Sequence, residues 1–223
     1  AGASEALDRF KDVDPDEVLG WMVGVQLYLT EDRPIARGHI ALPDAPWGVT
    51  AISQAQFWRM DPRWPFKGIL SLDVTHWTEP GDLRKRTALG STRSEILDEL
   101  LYQLGVAKDA SGAALLSAPP WHHHIDDDLV FDADRVVANH ARLLIHPPGF
   151  WGVRPPAATG LANLLLAADY VKNHMDLATM EGANEAARAA VNEILRRERP
   201  DCPPCPIVYH LHANEPAWLK ELK

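Results

Sequence analysis

The sequence predicts a mixed α/β (α+β) fold, and three observations carry that expectation. Residues 163–195 read as a buried strand, a turn and a long helix. Residues 21–30, 47–58 and 68–77 are rich in β-branched and aromatic side chains and read as strands. Residues 91–104 repeat apolar side chains at three- and four-residue spacing, as an amphipathic helix does. The composition suits such a fold: of 223 residues, 46% are hydrophobic and 24% charged, the ordinary balance of a globular chain with a core of useful size.

Taken in order, residues 4–11 and 15–20 carry short helical or turn patterns, and Asp14-Pro15-Asp16-Glu17 resembles a helix start. The strand at 21–30 alternates in part. Pro34, Gly38, Pro43 and Pro46 punctuate the loop after it, and residues 60–66 separate the strands at 47–58 and 68–77. In the helix at 91–104, Ser91 opens the first turn, Ser94 and Glu95 lie within it, Ile96, Leu97, Leu100, Leu101 and Leu104 form the apolar stripe, and Gly105 ends it. Residues 140–146 read as another strand and residues 147–154 as a loop. The apolar run Leu164 to Ala167 then leads to Asp169, a carboxylate at the strand end, where an open α/β sheet presents ligand-binding groups. In the final long helix Met180, Ala183, Ala187, Ala190, Ile194 and Leu195 share one side, while Glu181, Glu185, Arg188 and Glu193 fall on others. Its first-turn N–H groups, around Thr179 and Met180, lack intrahelical acceptors and suit an electron-rich oxygen. Residues 200–223 are proline-rich, with an apolar run at 207–209 and a candidate helix at 216–222.

The pairing of Leu-Leu-Leu-Ala-Ala-Asp-Tyr at 164–170 with Met-Glu-Gly-Ala-Asn-Glu-Ala-Ala at 180–187 resembles the C-terminal flavin-binding segment of the amine oxidase and phytoene desaturase superfamily. Arg154-Pro155-Pro156-Ala157-Ala158-Thr159 looks like that superfamily's lead-in to the strand, so the resemblance covers roughly residues 140–197. It implies the C-terminal half of a two-domain FAD-binding flavoprotein. Residues 1–150 would be part of a mixed-sheet substrate domain, 151–199 the last βα unit of the FAD domain, and 200–223 a tail. It further implies that Asp169 binds the ribityl chain of FAD and that the backbone at Met180 faces the pyrimidine edge of the flavin. Thr179 stands just before that position, and Ala168 replaces a glycine usual in relatives, so its methyl group bears on the ribityl contact. Phe150 and Trp151 are candidates either for packing on the flavin or substrate entrance or for ordinary core positions. Arg154 is either a hydrogen-bonding residue beside the cofactor or a surface charge.

Other features narrow the field. A net charge of −9 argues against a nucleic-acid partner, and no apolar run reaches the length of a membrane span, so a cytoplasmic protein is expected. Cys202 and Cys205, with His210 and His212 behind them, read as a rigid proline-rich connector, with a metal site or redox pair as alternatives. Trp121-His122-His123-His124-Ile125-Asp126-Asp127-Asp128 reads as a polar loop near a cleft or subunit contact, with metal binding as the alternative, because adjacent side chains do not converge. None of the 14 glycines forms the Gly-x-Gly-x-x-Gly turn that grips the FAD pyrophosphate. The chain also opens on Ala1-Gly2-Ala3-Ser4. Together these lead to the expectation of a second polypeptide carrying the pyrophosphate site, with this chain a processed fragment or a separately encoded subunit.

The resulting expectation is an FAD-dependent oxidoreductase that removes hydride from a C–H bond of a small apolar substrate. Within the superfamily, Ala-Asp-Tyr-Val and Ala-Thr-Met-Glu-Gly-Ala resemble the desaturase and hydroxysqualene dehydroxylase branch, whose substrates are long isoprenoids. Amine oxidases carry a cage tyrosine where Thr179 stands. An amine oxidase and a non-catalytic partner subunit with a degenerate flavin fold remain the alternatives, and no catalytic side chain is singled out.

Overall fold

The computed structural model describes residues 5–207. Within them the chain forms two compact units, one from residues 21–142 and one that joins the segment before residue 21 to the segment from residue 143 onward. The division therefore falls at 20/21 and 142/143 rather than at the expected 150 and 199.

The unit of residues 21–142 is built on an antiparallel sheet in the order β3-β4-β5-β2-β6, comprising β2 (Val23–Leu29), β3 (His39–Ala41), β4 (Thr50–Ser53), β5 (Gly68–Val74) and β6 (His122–Ile125). Side chains alternate across a pleated strand, and here one face is buried and the other half-open. Ile40, Ala51, Leu72, Val25 and Ile125 form one inward cross-strand row, and Leu70 and Leu27 pair in the next. Helix α3 (Arg93–Val106) packs Ile96, Leu100 and Leu104 into the same core, each fully buried. Its cap is Thr92, one residue beyond the expected Ser91. Thr92 Oγ1 accepts from Glu95 N, and the Glu95 carboxylate accepts from Thr92 N, so two orphan donors are met reciprocally. A hairpin of β7 (Leu129–Asp132) and β8 (Arg135–Asn139) adds Leu129 and Val136 to the core. Ala133 and Asp134, both at positive φ, turn it, as a two-residue hairpin requires.

Several strands are shorter than the sequence suggests. The one expected at 47–58 covers only β4, because Gln54–Gln56 coil into a 3-10 turn, and the one expected at 68–77 ends at Val74. The histidine run, expected as a loop, is strand β6, recruited by antiparallel pairing with β2.

The other unit contains α1 (Glu5–Phe10), α2 (Pro15–Val18), a two-residue pairing of β1 (Leu19–Gly20) with β9 (Leu143–Leu144), α4 (Phe150–Val153) and α5 (Met180–Glu198). Asp14 caps α2 and Pro15 occupies its first turn, as the sequence suggests. The strand expected at 140–146 is reduced to β9. The buried strand expected at 164–167 does not form: Leu164 is exposed, Leu165 makes an isolated bridge to Ala158, and the run has no sheet beside it. Its core cluster is small, one valine and three alanines: Val171, Ala157, Ala186 and Ala190. The 207–209 run, the helix at 216–222, His210 and His212 fall wholly or mainly outside the described residues.

Candidate functional site

The loop that joins the Asp169 region to α5 is held by side chains rather than by a sheet. Arg154, just past α4, is buried. Its Nε donates to Tyr170 O at 3.0 Å, and its Nη2 donates to Asp169 O and Val171 O, each at 2.6 Å. Nη1 donates to the Asp176 carboxylate at 2.7 Å. One planar fork thus satisfies three backbone carbonyls that no strand pairs. Burial pushes the guanidinium below its ordinary pKa, and Asp176 and Asp169 oppose that shift. Asn173, also buried, donates to Val171 O at 2.8 Å and accepts from Met175 N and Asp176 N at 3.0 Å. From the helix side, Glu185 accepts the His174 N–H at 2.8 Å and lies against the ring Nδ1.

Helix α5 begins at the end of this loop. Thr179 has extended backbone angles and its Oγ1 accepts from Gly182 N at 3.0 Å. Gly182 lets the loop lie against the first turn, since a Cβ there would stand 3.0 Å from Leu177 O. The N–H groups of Met180 and Glu181 lie in the same turn, where the helix offers no acceptor. The Met180 side chain is 84% exposed. Asp169 is half-buried in a turn, and no hydrogen bond to its carboxylate is found among the described residues, although its carbonyl is engaged by Arg154.

The remaining expected positions divide. Ala168 is half-buried, and its carbonyl accepts from Val171 N at 3.1 Å. Trp151 donates its indole N–H to Asn173 O at 3.2 Å, and the Lys172 ammonium sits 3.9 Å over its ring, leaving the indole partly exposed. Phe150 is a buried aromatic against His146. Arg154, Thr179, Asp169, Ala168 and Trp151 therefore belong to one loop-and-helix assembly. The free thiols of Cys202 and Cys205 lie in the segment after α5, where Cys205 N and O both bond the Asn192 amide.

A second group of polar side chains lies on the outward face of the sheet in the unit of residues 21–142. His39, Thr50 and Asp73 come from three adjacent strands: Thr50 Oγ1 is 3.1 Å from His39 Nε2 and 3.5 Å from Asp73 Oδ2. Burial raises the Asp73 pKa above its ordinary value, and His39 and Thr50 work against that rise. Beyond them Gln54 donates to Ser71 Oγ, and Tyr28 donates to Gln26 Oε1. At the β2–β6 end an aromatic group joins Tyr28, Phe66, Trp64, Trp121 and His122, with ring centroids 4.9–5.9 Å apart. Strand alternation puts His122 and His124 on this face and His123 on the other, where burial holds it below the ordinary imidazole pKa. Among the described residues no three His, Cys, Asp or Glu side chains converge as a metal site. Sequence reading missed His39, Thr50 and Asp73 because only the cross-strand register of three distant segments brings them together.

No helix among the described residues is long and apolar enough to cross a membrane. Comparison of the sequence with protein-family models and with curated proteins gives no match.

Proposed function

We propose that the chain is the flavin-facing and substrate-facing part of an FAD-dependent oxidoreductase that removes hydride from a C–H bond of an apolar substrate. The observation that carries this reading is the loop of residues 169–179, fastened by buried Arg154, in which, among the described residues, the Asp169 carboxylate accepts no hydrogen bond and the Met180 and Glu181 N–H groups meet no acceptor. An acceptor for a hydroxylated chain and donors for an electron-rich ring edge suit two parts of FAD, the ribityl chain and the pyrimidine edge. Bound FAD would supply the two-electron acceptor for the hydride. In this reading Asp169 accepts a hydrogen bond from a ribityl hydroxyl. The Met180 N–H and the positive end of the α5 dipole would favour an electron-rich edge of a bound flavin. Thr179 and Arg154 hold those groups in place. Thr179 Oγ1 is committed to Gly182 N, which favours the desaturase-like branch over an amine-binding cage at that position.

One further observation supports the reading. Among its described residues, the unit containing α5 buries few large apolar side chains while exposing Leu164, Leu177, Val191 and Ile194, which suits completion by a second polypeptide that also carries the Gly-rich pyrophosphate site.

The test is a visible absorbance spectrum of natively purified protein, with a denaturing gel of the same sample. Flavin bands together with a second polypeptide are expected, and the bands should bleach on addition of the substrate. A colourless preparation with a stoichiometric partner would replace this reading with that of a non-catalytic binding module.

A further inference from the structure

In the unit of residues 21–142, a cleft of about 610 Å³ opens between residues 35–45 and the C-terminal end of α3. It lies on the side of the sheet that α3 covers: Ile35, Ile40, Ala45 and Ala107, which line it, pack against the core shared with the helix. Ile35, Ile40, Leu42 and Leu115 give it an apolar wall. Gln103 also lines it and is only 1% exposed. The Gln103 Nε2 donates to Glu99 Oε1 at 2.9 Å. A carboxylate accepts only the NH2 side of the amide, so this bond fixes its orientation and turns Oε1 the other way. That oxygen is buried and accepts no hydrogen bond among the described residues. A buried acceptor in that state costs free energy until a donor meets it.

The electrostatics specify the donor. Asp44, Asp82 and Asp109 line the cleft with one lining cation, Lys108. Asp82 also pairs with Lys85 at 3.1 Å, and Asp109 accepts from the Ser111 and Ala113 N–H groups with Arg33 acting on its charge, which leaves Asp44 as the freest of the three carboxylates. The C-terminal end of α3, the negative end of its dipole, reaches the cleft at Val106 with no basic residue in the last turn. Behind Gln103, Glu99 is buried. It accepts from Asp82 N and Leu83 N as well as from Gln103, and no cation pairs with it among the described residues. A carboxylate bound to one end of an amide polarises the oxygen at the other.

We propose that this cleft binds a small amphiphilic alkylammonium ion, whose ammonium donates to Gln103 Oε1 and whose alkyl chain lies on Ile35, Ile40, Leu42 and Leu115. An alcohol would meet the same oxygen without the charge attraction, and a carboxylate would meet an acceptor and three aspartates. The site uses none of the residues assigned to flavin, and its occupancy is read without turnover.

Isothermal titration of the natively purified protein with n-hexylammonium, 1-hexanol and hexanoate tests it. Affinity should fall in that order, with hexylammonium at least about tenfold tighter than hexanoate. Gln103→Leu, which removes the acceptor, should weaken hexylammonium by about tenfold or more. Ala36→Trp, a plug at the exposed rim, should abolish binding while leaving thermal unfolding unchanged; it decides the matter if Gln103→Leu does not fold. Equal affinity for hexylammonium and hexanoate, absence of saturable hexylammonium binding, or wild-type affinity in a folded Ala36→Trp protein would overturn the proposal.

Discussion

Arg154 and Asp176 form a 2.7 Å ion pair in which the arginine side chain is wholly withdrawn from water while the aspartate is 47% exposed. The asymmetry says what the pair is for. A surface ion pair contributes little, but this guanidinium also carries three backbone carbonyls, so its burial is matched by hydrogen bonds rather than by Asp176 alone. Asp176 itself sits at positive φ, a position that favours a short polar residue.

Replacing Arg154 with Met leaves those carbonyls and Asp176 without their donor. A loss of about 3–5 kcal/mol is expected, the range for breaking a buried charged network. Arg154→Lys should recover only part of it, because an ammonium cannot span the fork. Asp176→Asn should cost far less, since the carbonyl contacts survive. Denaturant unfolding, with hydrogen exchange of amides 169–176 as the local readout, ranks the three. Full recovery in Arg154→Lys, or a loss for Asp176→Asn as large as that for Arg154→Met, would contradict the fork geometry.

Thr179 predicts a smaller and more local effect. Thr179→Ala removes the acceptor of Gly182 N and should cost about 1 kcal/mol, whereas Thr179→Ser should be near neutral. In a flavin-bound preparation the Ala variant should also release flavin more readily, because fraying of the first turn moves the Met180 N–H. Unchanged unfolding and unchanged flavin retention together would show that the cap holds nothing.

These residues also mark how far the sequence could be read. Helices α3 and α5 were legible in extent because helix periodicity is a local signal, but the buried side of α5 was not: Met180 and Ile194, expected inward, are exposed, while Glu185 is buried beside Ala186 and Ala190. The run at 164–167 was misleading for a complementary reason. Four apolar residues satisfy a strand pattern, but a strand also needs a lateral partner. Here Arg154, ten or more residues upstream, takes the carbonyls of the following turn. The histidine run failed in the opposite sense: polar side chains suggested a loop, and β2 captured the backbone as β6. The Asp73 cluster was illegible because register sets it, not composition.

Asp73 gives a pH-dependent test of that cluster. Burial raises its pKa above the ordinary 3.8, so the folded protein holds the proton more tightly than the unfolded chain does. The associated stability is fully present below the unfolded value and is lost as pH rises through the folded one. Asp73→Asn keeps a neutral side chain throughout. Its melting temperature relative to wild type should therefore improve as pH rises from below 3.8 towards neutrality. A difference that stays constant over that interval would place the Asp73 carboxyl in an environment as wet as the unfolded chain.

Glu193 provides the opposite sign on α5. Hydrogen bonds from Arg196 at 2.6 Å and Arg197 at 2.7 Å hold its pKa down at about 2, against an ordinary 4.5. Arg197 in turn donates to Ala162 O, in the segment before the Asp169 turn, so the cluster ties the helix to that segment. The depressed value means the folded chain binds the proton less readily than the unfolded one. Its stabilising contribution is present above 4.5 and disappears as pH falls towards about 2. Carbon-detected titration of the Glu193 carboxyl should show a midpoint well below those of freely solvated glutamates. Arg197→Gln should raise that midpoint and loosen hydrogen-exchange protection near residue 162, whereas Arg196→Gln should raise the midpoint without the second effect, because only Arg197 reaches Ala162. A common response in both variants would mean that the helix, and not the Arg197 bridge, orders the segment leading to Asp169.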